Sequence, residues 1–185
     1  MYKEVKVLEE KLEKVTQLEF NRLSQQISSD DELRRMLITP MEEIPQYRYL
    51  YSSGLRHLGQ HSLFDALQFM FEYEHRANFY FSKIGNKFTG FIVYQDNGKI
   101  INSIKMASFK DDKTQTNPIL AKDIIEFILD MASQRDTIEW YVDSENKKAI
   151  QQYNALLTRK GLNWKSGKDG KMIKYVVQRY ADTQK

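Results

Sequence analysis

The sequence predicts an α/β fold, a mixed sheet covered by helices and preceded by a helical N-terminal segment, and three observations point to it. Apolar residues recur at helical spacing up to about His75, the period drops to two from Ala77, and after Pro118 helical and strand patterns alternate. The 185 residues are expected to form one domain, with residues 1–76 as a helical segment packed on a mixed-sheet core over 77–180.

Taken in order, residues 3–27 place Val5, Leu8, Leu12 and Val15 three and four apart, then shift phase to Phe20, Leu23 and Ile27. That spacing predicts one long amphipathic helix, and its phase drift favours packing on a globular body over a coiled coil. Ser29 and Glu32 form a Ser-x-x-Glu capping box, and Thr39-Pro40-Met41-Glu42 repeats the signal with proline at the first helical position. Two short helices are therefore expected, the second limited by Pro45. Ser62 precedes LFDALQFMFEYEH, where Phe64, Leu67, Met70 and Phe71 share a face. ANFYFSKI, FTGFIVYQ and IINSIKMASF then read as a three-stranded meander, with Asn97-Gly98 supplying the positive φ of a tight turn. The polar loop KDDKTQTN leads to a helix starting at Pro118. TIEWYVD is a strand, SENKKAIQQYNALLTRK a helix closed by Gly161, and MIKYVVQRY a last strand.

Composition removes several function classes. Lys+Arg 28 against Asp+Glu 25, with 41% hydrophobic residues, is too balanced and too apolar for a disordered chain. The absence of cysteine excludes disulfides, thiol nucleophiles and thiolate metal sites, and fits a reducing, cytoplasmic setting. No signal peptide or membrane span is expected, since the most apolar run, IIEFIL, carries Glu126. Neither a Gly-x-Ser-x-Gly elbow nor a Gly-x-x-x-x-Gly-Lys phosphate loop occurs. His57 and His61 stand four apart with His75 as a distant third, but the Glu of a His-Glu-x-x-His motif is missing, so no metal is expected.

The order of meander, polar loop entering a helix, strand IEWYVD, and an Asn-x-x-Ala-x-x-x-Tyr helix ending in glycine resembles the GNAT superfamily of acyl-CoA-dependent N-acyltransferases over residues 77–180. The resemblance implies that the strand ending near Phe109 and the strand starting near Thr137 splay apart. Acetyl-CoA, or another acyl-CoA, would lie in the gap, its pantetheine amides pairing with the backbone of Met106, Ala107 and Ser108. It also implies that Asn146 and Ala149 address the co-substrate and that Tyr153 protonates the leaving thiolate. Spacing independently puts Asn146, Ala149 and Tyr153 on one helix face. The chain departs from the family in its pyrophosphate loop, whose Gln/Arg-x-x-Gly-x-Gly/Ala form lets backbone N–H groups approach phosphate. Residues 113–121 contain no glycine, and Pro118 removes one N–H, leaving the other N–H groups of the helix start and Lys110, Lys113, Gln115, Thr116 and Asn117 as side-chain donors.

The expected function is transfer of an acyl group, most simply acetyl, to the amine of a small molecule or protein. The alternative, to which the glycine-free loop points, is a non-catalytic GNAT-like interaction or scaffold module. Glu72 and Glu74, leading into the first meander strand, and Glu139, on the fourth, are candidate bases by position, and each also reads as a solvated charge. Arg159, Lys160, Lys165, Lys168, Lys171 and Lys174, interleaved with Trp164 and Tyr175, would suit nucleic acid or the 3′-phosphate of CoA. They equally suit a solvated turn, and a net charge of only +3 favours that reading over nucleic acid. The first helix is the element that would carry a homodimer, and no membrane partner is expected.

Overall fold

The computed structural model describes residues 10–47, 62–73, 77–109, 126 and 129–179. Its strands are β1 (Glu10–Lys14), β2 (Ala77–Ile84), β3 (Lys87–Asp96), β4 (Ile100–Ser108), β5 (Thr137–Asp143), β6 (Asn163–Asp169) and β7 (Met172–Gln178). They form one seven-stranded sheet in the order β1-β2-β3-β4-β5-β7-β6. Every neighbouring pair is antiparallel except β4 with β5. The helices bounded within the described residues are α1 (Gln17–Ser29), α2 (Asp31–Ile38), α3 (Leu63–Tyr73) and α4 (Lys147–Arg159), and residues 129–132 are helical as well, with Leu129 and Ala132 buried. Among the described residues no helix is long and apolar enough to cross a membrane.

The sheet is covered on both faces, and β3 shows why. Its residues Phe88 to Tyr94 are all buried, as a continuous apolar run requires, and alternate residues face opposite ways. Phe91 and Val93 join Phe79 and Phe81 of β2 beneath α1, α2 and α3, whose Phe20, Leu23, Met36, Leu37, Leu67 and Met70 complete that layer. Phe20 stacks on Phe71 with ring centroids 5.4 Å apart. On the other face Ile92 and Tyr94 join Ile138, Trp140, Tyr175 and Val177 beneath Leu156 and Leu157 of α4.

The first element differs from the helix expected over 3–27. Residues 10–14 are an edge strand paired with β2, Glu10 opposite Ile84 and Lys14 opposite Tyr80, and the helix begins only at Gln17. Thr16 explains the switch, because its hydroxyl accepts the Glu19 N–H at 3.2 Å and so caps α1 where the apolar phase shifts. Charges at Glu13 and Lys14 suit a sheet edge. The capping box is displaced by one residue: Ser29 ends α1, and Asp30 caps α2, its carboxylate accepting the Leu33 N–H at 3.1 Å. Thr39-Pro40 starts only a 3-10 turn, Met41–Glu43, since Pro40 brings no side-chain cap; a second follows at Pro45–Tyr47. Ser62 caps α3 as expected, accepting the Asp65 N–H at 3.1 Å. The meander is as read, with Gly98 at φ +91 in its second turn.

The stretch around SGKDGK, expected as a solvated turn, is a strand, β6, followed by a hairpin turn with Gly170 at φ +61. Six of its seven residues are exposed, so no apolar alternation marked it in the sequence.

Buried beneath β1 is one cation. Lys83 of β2 reaches Glu13 of β1 at 2.8 Å and Glu19 of α1, and lies 4.9 Å from the centre of the Phe88 ring. Burial alone would lower the Lys83 ammonium pKa, but hydrogen bonds to Glu13 and Glu19 outweigh it and raise the value.

Candidate active site

The site begins where two parallel strands stop touching. β4 and β5 pair only at Ile100 with Thr137 and Ile101 with Ile138, although both strands continue for several residues beyond. The closed end is riveted by backbone: the Asp136 N–H donates to the Lys99 carbonyl at 2.8 Å, and the Arg179 N–H donates to the Asp136 carbonyl at 2.9 Å. Side chains add a clamp, because the Arg135 guanidinium donates to both carboxylate oxygens of Asp96, at 2.8 and 2.7 Å. Past this point a wedge opens.

A bulge in β4 accompanies the divergence. Between the pairs Val93 with Lys105 and Gln95 with Asn102, β3 spends one residue, Tyr94, and β4 spends two, Ser103 and Ile104. An extra residue bends its strand and sharpens its twist. Beyond the bulge Met106, Ala107 and Ser108 pair with Ile92, Phe91 and Gly90 of β3. On its β5 side this segment has no strand partner among the described residues. Because alternate peptide groups of a strand point to opposite edges, the segment offers backbone donors and acceptors to the gap.

Side chains line the wedge differently on its two faces. Toward α4 stand Ile104 and Met106 of β4, Trp140 of β5, and Ala149 and Tyr153 of α4, all within the layer under that helix. Asn146 caps α4, its Oδ1 accepting the Ala149 N–H at 3.3 Å, so that oxygen is committed to the helix. The Tyr153 ring meets Trp140 edge-on at 5.6 Å and Tyr175 edge-on at 5.5 Å, while Trp140 and Tyr175 stack at 5.3 Å. Burial first, and the neighbouring Tyr175 second, push the Tyr153 hydroxyl up to about 12, so it stays protonated and able to donate at neutral pH.

The opposite face is polar. Alternation puts Lys105 of β4 there with Ala107, and Glu139 and Tyr141 of β5 opposite in sense to Trp140. Lys174 of β7 joins them, its ammonium 3.5 Å from Glu139 Oε2 and 5.9 Å from the Tyr141 ring centre.

Of the residues singled out in the sequence, Met106, Ala107 and Ser108 lie on β4 beyond its pairing with β5, Glu139 lies on β5, and Ala149 and Tyr153 lie in the layer under α4, with Asn146 at that helix's N-cap. Glu72 lies elsewhere, exposed on α3 and accepting from Gln68 at 3.2 Å. Glu74, His57, His61, His75, Lys110, Lys113, Gln115, Thr116, Asn117 and Pro118 fall outside the described residues, as does the rest of the glycine-free loop. No group of three metal-ligating side chains occurs among the described residues. The basic tail is dispersed. Lys165 and Lys168 point to opposite faces of β6, Lys174 turns to Glu139, and Trp164 stacks on Tyr175 at 6.0 Å. Sequence reading missed Trp140, Tyr141 and Lys174 as wedge residues, although alternation within TIEWYVD already separates Trp140 from Glu139 and Tyr141.

A seven-stranded sheet that forks at the one parallel pair among the described residues, with a capped helix following the second of those strands, is a fold shared with solved acetyltransferases. The chain is a divergent protein of the GNAT fold. It is similar to spermidine N-acetyltransferase from Vibrio cholerae, solved in complex with CoA and spermine, at 11% identity and a TM-score of 0.56, covering 91% of this chain and 95% of that one. The GNAT domain of S. lividans PAT matches at 12% identity and a TM-score of 0.57, over 90% of this chain and 89% of that one. An acetyltransferase from Thermus thermophilus matches at 14% identity and a TM-score of 0.52, over 92% and 97%. At such identities the likeness is one of fold. No protein-family model and no curated protein sequence matches the chain.

Proposed function

We propose that the protein is an N-acyltransferase that moves an acyl group, most simply acetyl, from acyl-CoA to an amine. The observation that carries this reading is the β4–β5 wedge, along one wall of which runs a bulge-bent strand edge with no strand partner among the described residues. The backbone groups of Met106, Ala107 and Ser108 suit the amides of a pantetheine arm, which needs alternating donors and acceptors at strand spacing. Bound acyl-CoA supplies an activated thioester carbonyl. The chain's own part is to orient it along β4 and to keep water out with Trp140 and Met106. Tyr153, held protonated by its surroundings, is the donor for the departing sulfur. Glu139, on the wall of the wedge, suits reception of the proton that the amine sheds; Glu72 does not share that wall.

Calorimetry with acetyl-CoA is the direct test. Heat of binding, together with a thermal shift, supports the reading, and the absence of both at millimolar ligand ends it. The second reading, a GNAT-fold interaction module without co-substrate, is favoured by the glycine-free 113–121 segment and would be left standing by that negative result.

A further inference from the structure

On the polar face of the wedge the protein holds an ammonium group of its own. Lys174 and Tyr141 are directly opposed across β7 and β5, and the lysine side chain leans diagonally so that its ammonium lies by the Glu139 carboxylate and the Tyr141 ring. The Glu139 and Lys174 side chains are partly shielded, 28% and 36% exposed, and the Tyr141 ring is exposed at 42%, open to an incoming ligand. A carboxylate together with an aromatic face is a chemically specific receptor for a primary ammonium, one supplying charge and the other its ring quadrupole. Both receptor side chains belong to β5, the strand that walls the wedge, whereas the cation they hold comes from the next strand away. The gap thus has a cation receptor on its wall, filled from outside the gap.

We infer that Glu139 and Tyr141 form the cradle for a primary alkylammonium, the acceptor of the acyl transfer, and that Lys174 is its resident occupant and must swing aside for the acceptor to enter. This rests on the acyl-transfer reading above and narrows it to a substrate class. Lys105, on the facing strand, brings a like charge to the other wall, which limits the cradle to one ammonium. In the transfer the acceptor nitrogen gives one proton to Glu139 and forms a bond to the thioester carbonyl carbon as the carbon–sulfur bond breaks. Sulfur leaves with that electron pair and takes a proton from Tyr153, which the second proton shed by the nitrogen replaces. An aryl amine, neutral at pH 7, offers the cradle no charge.

The experiment uses the full chain, acetyl-CoA as donor, and n-butylamine and aniline as acceptors, with thiol release as readout and acetyl-CoA affinity measured for every variant by calorimetry. Lys174→Met is expected to lower the KM for n-butylamine about fivefold, by removing the internal competitor. Tyr141→Leu should raise it about threefold, and neither change should alter acetyl-CoA affinity. An unchanged KM in both variants with acetyl-CoA binding intact overturns the cradle and leaves acyl transfer standing, as does aniline turned over as well as n-butylamine. Failure of the unaltered protein to bind acetyl-CoA removes the transferase reading and the cradle with it.

Discussion

The Arg135 guanidinium grips the Asp96 carboxylate through two hydrogen bonds, 2.8 and 2.7 Å long, and thereby ties the end of β3 to the start of β5 across β4. Asp96 Oδ1 also accepts the Gly98 N–H at 2.9 Å, so one carboxylate fixes both the meander turn and the closed end of the wedge.

Loosening the grip is expected to degrade the wedge before it unfolds the protein. Asp96→Asn should raise the KM for acyl-CoA about fivefold while kcat at saturation changes less, since positioning rather than chemistry is lost. Exchanging the partners, Asp96→Arg with Arg135→Asp, should recover part of the loss. Steady-state kinetics on the three proteins checks this.

The same pair sets an acid limit. The hydrogen bonds from Arg135 hold the Asp96 carboxyl below its usual 3.8, overcoming the opposing effect of burial, and the Gly98 N–H helps. A depressed carboxyl stabilises the fold above its unfolded-state value, and that contribution is lost as pH falls through the lower folded value. Thermal melts stepped downward from the usual carboxylate range should show a steeper fall in Tm for the unaltered protein than for Asp96→Asn.

Tyr153→Phe is expected to cut kcat about 100-fold with Tm nearly preserved, because the ring and its contacts with Trp140 and Tyr175 remain. With the hydroxyl at about 12, the unaltered protein should lose no activity through this group across the neutral and mildly alkaline range. A pH–rate profile of kcat for both proteins measures each point.

At the sheet edge the sign reverses. Lys83 has a raised value, so the stabilisation from Glu13 and Glu19 is present below the ordinary 10.5 and disappears as pH climbs through the higher folded value. Glu19→Gln should cost about 1–2 kcal/mol at neutral pH, a difference that narrows in strong alkali, as read by urea unfolding.

β3 belongs to both hydrophobic layers, Phe91 to one and Ile92 to the other. We propose that the layers unfold as one unit, as expected of one domain. Phe91→Ala should cost about 3–5 kcal/mol and shift a single calorimetric transition as a whole. Two separated transitions would show that the layers melt independently.

Local chemistry made much of this legible. Asn97-Gly98 announced its turn, Ser62 its helix, and the alternation in TIEWYVD its strand. What escaped was decided by competition or by distance. Residues 10–14 satisfy a helical spacing, yet a capping threonine at 16 and an open β2 edge favour a strand. β6 has almost no buried side chain to mark it, and is held by its backbone pairing with β7. The wedge was expected only through resemblance, because no local pattern says that two strands pair for two residues and then part. Tyr141 and Lys174, thirty-three positions apart in the chain, meet through strand pairing that no spacing rule reaches.

The short strip of chain over residues 10–14 has the look of a trimmable leader and is instead the selvedge of the sheet. Cutting it away would bare the amide rim of β2 along Tyr80 to Ile84 and unroof the ammonium of Lys83, inviting neighbouring molecules to stitch themselves onto the frayed border. Truncations meant to tidy the protein should therefore stop short of Glu10.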